Sequence, residues 1–213
     1  SEILGQFHLD PWCFSSLFRS ATDIDIHSED DRKRLAELAA DLISDIQSKY
    51  DQYGITDKPF IFLKADSGTY GMGVYPIEDP KDLLSFNRKN RNKLASGKHS
   101  VPITNYILQE GVPTQNTINN MPSEVCVYQI SNHHVGSFFR SNSEKNERGN
   151  LNSRGMSFTT IDNSSNLKDG VPTQEELASF NSLLPLYSII ARIAGLAAEQ
   201  EMTLSESLEL AQI

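Results

Sequence analysis

Cysteine is scarce. The 213 residues include two, Cys13 and Cys126. Two cysteines so far apart give neither a metal-binding spacing nor a disulfide framework, so a reduced, cytoplasmic setting is expected. Long apolar runs are also missing. None approaches the roughly 18 residues of a membrane span, so no membrane association is expected. The opening residues lack the basic, apolar and small-residue order of a secretory leader. Positive charge is in deficit, with 19 Lys and Arg against 28 Asp and Glu and a net charge of −9. That balance argues against a nucleic-acid partner. What the chain does have is a hydrophobic content of 38%, enough to pack a core in one large domain or two small ones.

Periodicity predicts a helix over 28–51. Ser28 caps it, acidic residues fill its first turn, and Leu35, Leu38, Ala39, Leu42, Ile43, Ile46 and Tyr50 form one apolar face. A strand follows at 59–65. Val74 and Tyr75 are extended before Pro76 stops the run. A second helix is expected over 79–95, with Lys81, Arg88, Lys89, Arg91 and Lys93 as a basic face that is either solvated or attracts a polyanion. Strands are expected at 104–110, 124–130 and 134–140, the last two joined as a hairpin by "SNHH". Thr173 and Glu176 suit a capping box for a helix that Pro185 should kink or split, with a short final helix capped at Thr203. No internal repeat is visible. This order predicts an α+β fold round a mainly antiparallel sheet with flanking helices.

The stretch "FIFLKADSGTYGMGV" (60–74) runs from an apolar strand through Lys64 into a loop with glycines at 68, 71 and 73. A Walker loop needs lysine after its last glycine, whereas Val74 follows Gly73. A dinucleotide fold needs its glycines to open a helix. A kinase loop places its lysine on a later strand. What remains is a strand, a lysine and a glycine-rich hairpin. Either it folds over a triphosphate, with backbone amides, Ser67 and Thr69 donating and Lys64 as a point charge, or it is a plain hairpin. Two further pieces carry weaker signals. In "YILQEGV" a strand ends at Gln109-Glu110, where exposed backbone suits an adenine edge and a carboxylate suits ribose hydroxyls. In "FFRSNSEKNERGNLNSRGM" (138–156), Arg140 and Arg148 suit phosphate or carboxylate, and Asn150 and Asn152, alternating round Leu151, suit Mg²⁺. Cys126 is expected in the core and Cys13 packed among aromatics. His133-His134 is expected to be a connection rather than a metal site.

Together these pieces resemble the ATP-grasp ligases. "DPWCFSSLF", "KADSGTYGMGV", "LQEGV", "VGSFFR" and "NLNSRGM" resemble the motifs, in order, of the proteobacterial glutamate–cysteine ligases of that type, over roughly residues 8–160. The resemblance implies an ATP-grasp-like fold with a glycine-rich flap, ATP and Mg²⁺ as cofactors, and glutamate and cysteine as substrates joined through an acyl phosphate. It implies nucleotide contacts at Lys64, Ser67, Gly68, Thr69, Tyr70, Gly71, Met72, Gly73, Gln109, Glu110 and Val112. Arg140 and Arg148 are the implied catalytic residues, and Glu147, Asn150 and Asn152 the metal ligands. The late acidic ligands of many ATP-grasp enzymes have no clear counterpart, since Glu199 and Glu201 fall in a helical pattern. Family members extend further at the N-terminus. Residues 1–57 are therefore expected to be the edge of an upstream substrate domain, and 58–213 the nucleotide-binding domain, with an upstream half or a second copy as partner. Two rivals stay open: an ATP-grasp ligase for another carboxylate and amine, and a nucleotide-binding module without full activity.

Overall fold

The computed structural model describes residues 10–66, 73–95, 102–131, 133–160 and 173–210. The chain divides into two compact units, one of residues 1–114 with 145–154 and one of 115–144 with 155–213. The boundary expected at 57/58 does not separate units, because the long helix and the strand after it share one core.

In the first unit, strands β1 (Phe18–Ala21), β2 (Ile61–Ala65), β3 (Val74–Ile77) and β4 (Tyr106–Glu110) form an antiparallel sheet in the order β1-β4-β2-β3. Helix α1 (Glu29–Tyr53) begins where Ser28 Oγ accepts the Asp31 N–H. It ends at Gly54, whose φ of 65° suits glycine and lets its N–H reach the Tyr50 and Asp51 carbonyls. Leu35, Ala39, Leu42, Ile46 and Tyr50, spaced three and four apart, are buried together with Ile61, Leu63, Ala65, Tyr106 and Leu108. Alternation in the strands thus sends 61, 63, 65, 106 and 108 toward α1.

Two expectations change here. Pro76 does not end its strand: it lies within β3, the sheet's edge, where no ladder N–H is demanded of it. The helix expected over 79–95 is a 3₁₀ turn at Pro80–Leu83 and a separate helix α2 (Arg88–Ala95). The Asp79 carboxylate caps only the short turn.

The second unit holds the antiparallel sheet β5 (Thr117–Ile118), β6 (Met121–Ile130), β7 (His133–Asn142) and β8 (Met156–Thr160), paired in that order. The segment read as an irregular link contains β5 and a tight hairpin. Asn119 and Asn120, with φ of 51° and 61°, form its turn, a geometry asparagine tolerates. His133 and His134 belong to β7 rather than to its connection. The expected capping box at Thr173 is present, since Thr173 and Glu176 bond reciprocally.

Helix α3 (Gln174–Leu210) is continuous through Pro185. Thr203, expected to open a final helix, lies inside it and bonds back to the Glu199 carbonyl. Because the run is not broken at Pro185, Gln174–Thr203 is long and apolar enough to cross a membrane by length and composition, against the expectation that no segment would be. Phe180, Leu184 and Tyr187 of this helix pack on Ile118, Val125 and Phe139.

Leu42 is fully buried between α1 and the first sheet. Leu42→Ala should cost about 2–5 kcal/mol of stability, read as a lower urea midpoint with an unchanged slope.

Candidate functional site

The face of the first sheet turned away from α1 carries the alternate positions. Register places Phe62 opposite Gln109 and Lys64 opposite Ile107 on β4, Lys64 opposite Val74 on β3, and Phe18 opposite Gln109 on β1. This face is an apolar floor with one ammonium. The Lys64 Nζ donates to Gln109 Oε1 at 2.5 Å, and Gln109 Nε2 donates to Ser16 Oγ at 2.5 Å. Nζ also lies 5.7 Å from the centre of the Phe62 ring. The salt bridges among the described residues leave Lys64 without a carboxylate, and burial alone pushes its pKa below the usual lysine value. A half-buried cation held by a neutral acceptor is suited to an incoming anion. Gly73 closes the adjoining loop. Its φ of 71° favours glycine, and so does crowding, since a side-chain Cβ there would lie 3.1 Å from the Ala65 Cβ. Ser67, Gly68, Thr69, Tyr70, Gly71 and Met72 lie outside the described residues.

Glu110 is on the opposite face from Gln109. It is 6% exposed, and its carboxylate accepts the Trp12 Nε1–H at 2.9 Å and the Leu17 N–H at 2.9 Å. The carboxylate expected to meet ribose is here committed to Trp12 and Leu17. Consecutive strand residues point to opposite faces, and Glu110 takes the one that leads to Trp12. The Trp12 ring lies against Tyr50 and Tyr53, at 6.1 and 5.0 Å between ring centres. Beside it, Lys49 pairs with Asp10 at 2.6 Å and holds that carboxyl below its ordinary range. Tyr53 donates to Asp10, and the Cys13 thiol, burial and Asp10 together raise the Tyr53 pKa. Cys13 is exposed rather than packed. Val112, past the strand end, is exposed as well.

Residues 145–154 belong to the first unit. The Arg148 guanidinium lies 5.0 Å above the ring of buried Phe60, a cation–π arrangement. The segment is tied down where Thr114 N–H donates to the Glu147 carbonyl at 2.8 Å. Asn150 and Asn152 do not alternate along an extended stretch. Asn150 Oδ1 accepts the Asn152 N–H at 3.1 Å, making a local turn over buried Leu151. Glu147 is exposed. No group of three or more His, Cys, Asp or Glu side chains that could hold a metal occurs among the described residues. The set Glu147, Asn150 and Asn152 offers one carboxylate and two amides, of which the Asn150 oxygen already accepts the Asn152 N–H.

In the second unit, Arg140 Nε donates to Glu124 Oε1 at 2.6 Å, directly across the β6–β7 pair. Arg140 thus has a carboxylate partner, which Lys64 lacks among the described residues. On the same sheet face lies a row of rings, Tyr128, Phe138 and Phe158, at 5.6 and 5.4 Å spacing. Cys126 is half-buried on that face, and burial raises its thiol pKa. The sequence reading missed Trp12, Ser16 and Phe62 as parts of the site. Trp12 and Ser16 lie in "DPWCFSSLF", one of the motifs that carried the family resemblance, but no role was read for either.

A family model described as GshA, glutamate-cysteine ligase, matches residues 1–202. A solved structure from Methylobacillus flagellatus KT, provisionally assigned as a gamma-glutamylcysteine synthetase, superposes with a TM-score of 0.76 at 30% identity. The match covers 96% of this chain and 48% of that one, so the chain spans about half the length of its solved relative. No curated protein matches.

Gly111 donates its N–H to the Phe60 carbonyl, and a Cβ placed on it would collide with the Phe60 ring that carries Arg148. Gly111→Ala should therefore destabilise the first unit by about 1–3 kcal/mol, measured by urea unfolding.

Proposed function

Because the chain belongs to the glutamate–cysteine ligase family, we propose that it serves ATP-dependent joining of the γ-carboxylate of glutamate to the amine of cysteine, the first step of glutathione synthesis, with an ATP-grasp type of nucleotide binding in a cytoplasmic setting. The observation that carries this reading is Lys64: a half-buried ammonium on the sheet face turned away from α1, held by Gln109 and lacking a carboxylate among the described residues. In this reading Phe18, Phe62 and Ile107 supply the floor, Lys64 meets phosphate oxygens, and the amides of 67–73 close over them as a flap.

A γ-carboxylate oxygen of glutamate attacks the terminal phosphorus of ATP, and ADP leaves. The cysteine amine attacks the resulting acyl phosphate carbon, inorganic phosphate leaves, and the amine gives up a proton. No covalent enzyme intermediate is needed, so the work of the protein is positioning and charge neutralisation. Arg148, lying over the Phe60 ring, is proposed to steady the terminal phosphate or a substrate carboxylate. Arg140 is assigned the same kind of task, and an incoming anion there competes with Glu124. Glu147, Asn150 and Asn152 are proposed as the residues that would hold Mg²⁺, which would neutralise phosphate charge when bound. Because the chain spans about half of its solved relative, one second reading stays open, a nucleotide-binding module without turnover. ADP release that requires both amino acids, from this chain or a longer protein containing it, selects the ligase; tight ATP binding with no release selects the module.

Lys64→Ala should weaken ATP binding more than about tenfold in titration calorimetry, the order expected for loss of a charge-assisted contact. An unchanged affinity would show the phosphate assignment to be wrong. Since burial lowers the Lys64 pKa, its charge is lost at a lower pH than that of an ordinary lysine. ATP affinity should therefore fall as pH rises through that lowered value, and Lys64→Arg, which stays charged, should flatten the fall. Arg148→Ala should impair ADP release more than ATP binding, a split visible by comparing turnover with calorimetric affinity.

A further inference from the structure

We infer that Ser16, Gln109 and Glu110 form a relay that aims the Lys64 ammonium, and that Glu110 acts from the opposite face of the sheet as a positioning residue that does not touch nucleotide. The inference rests on the proposal that Lys64 holds phosphate.

The relay starts at the lysine. An ammonium has three N–H donors, and Gln109 Oε1 takes one at 2.5 Å, leaving two for an anion. A glutamine at this position is chemically informative. Its oxygen fixes the direction of Nζ without cancelling the charge, which a glutamate would do. The amide has a second end, and turned over it would set its NH₂ against the ammonium. The ammonium, which can only donate, holds Oε1 toward itself, and Ser16 Oγ accepts Gln109 Nε2 at 2.5 Å, so the amide is anchored at both ends.

Ser16 lies outside any helix or strand, so something else must hold it. The tie is the next residue. Leu17 donates its N–H to Glu110 Oε2 at 2.9 Å, and its carbonyl accepts the Glu110 N–H at 2.8 Å. Trp12 Nε1–H donates to the same carboxylate. Two neighbouring residues on each segment are thus joined on both sides of the sheet: Ser16 to Gln109 on the lysine face, Leu17 to Glu110 on the other. The buried carboxylate satisfies two N–H donors at once. Both donors meet one oxygen, Oε2, and the Trp12 Nε1–H also lies 3.2 Å from Oε1, so a glutamine could keep its oxygen at the first place but would turn its NH₂ toward the Trp12 donor at the second.

The test measures ATP binding, with Mg²⁺ present, by calorimetry on the full chain carrying Ser16→Ala, Ser16→Thr, Gln109→Glu, Glu110→Gln and Lys64→Ala. Gln109→Glu should weaken binding roughly tenfold despite its matching shape, because it pairs the lysine. Ser16→Ala should weaken it about threefold and Ser16→Thr should restore it. Neither Gln109→Glu nor Ser16→Ala should have further effect in a Lys64→Ala background, because they act through one contact. Glu110→Gln should weaken binding about threefold and shift the emission of Trp12, the chain's one tryptophan. Wild-type affinity in Gln109→Glu and Ser16→Ala, with Lys64→Ala weakened, overturns the relay and leaves the phosphate reading standing. Wild-type affinity in Lys64→Ala overturns both. If Glu110→Gln does not fold, the Ser16 and Gln109 variants, which leave the buried carboxylate intact, decide the matter.

Discussion

A residue on a strand can serve only one face of its sheet, and on β4 that constraint divides the first unit into a side packed on α1 and a side that bears Lys64. Tyr106, Leu108 and Glu110 point toward α1 and the Trp12 segment. Ile107 and Gln109 point the other way, where Lys64 lies. A slip of one residue would bury Gln109 and expose the carboxylate that holds Trp12 and Leu17. The register is held because β4 pairs on both edges, with β1 and with β2, and because its inward side chains belong to one contiguous core.

The state of the charges separates candidates that look alike in sequence. Arg140, Arg148 and Lys64 all suit an anion by residue type. In the structure Arg140 has a carboxylate directly across its strand pair, Arg148 has an aromatic platform, and Lys64 has a neutral amide. A paired cation meets an incoming phosphate only by giving up a partner it already has. A desolvated one without a carboxylate gains more from that phosphate, since burial weakens competition from water. Lys64 therefore carries more of the functional argument than either arginine.

The parts legible in the sequence are those with a strong local signal. Ser28, the three- and four-residue steps of α1 and the Thr173–Glu176 pair predicted their elements correctly, because caps and apolar periodicity act within a few residues. The strand bearing Lys64 was legible from its apolar run. Elements fixed by distant partners were not: β1, four residues with a mixed pattern, exists because β4 pairs with it, and β5 because Asn119-Asn120 turn tightly into β6. Pro185 misled because a break in helix propensity was weighed without the sheet on which α3 packs. At the site, Glu110 was read as a carboxylate for ribose hydroxyls, and its bond to Trp12, 98 positions away, carries no local signal. Asn150 and Asn152 suggested a shared side only if extended, and their own side-chain to backbone bond makes a turn instead.

The central claim is that the face of the first sheet turned away from α1, where Lys64 lies, holds the nucleotide. A crystal structure of this chain with a non-hydrolysable ATP analogue and Mg²⁺ tests it most directly. The account predicts phosphate oxygens within hydrogen-bond distance of Lys64 Nζ, the Gln109 contact retained, and the Glu110 carboxylate still on Trp12 and Leu17. An analogue whose phosphates sit away from Lys64, or whose ribose is held by Glu110 with Trp12 displaced, would contradict it.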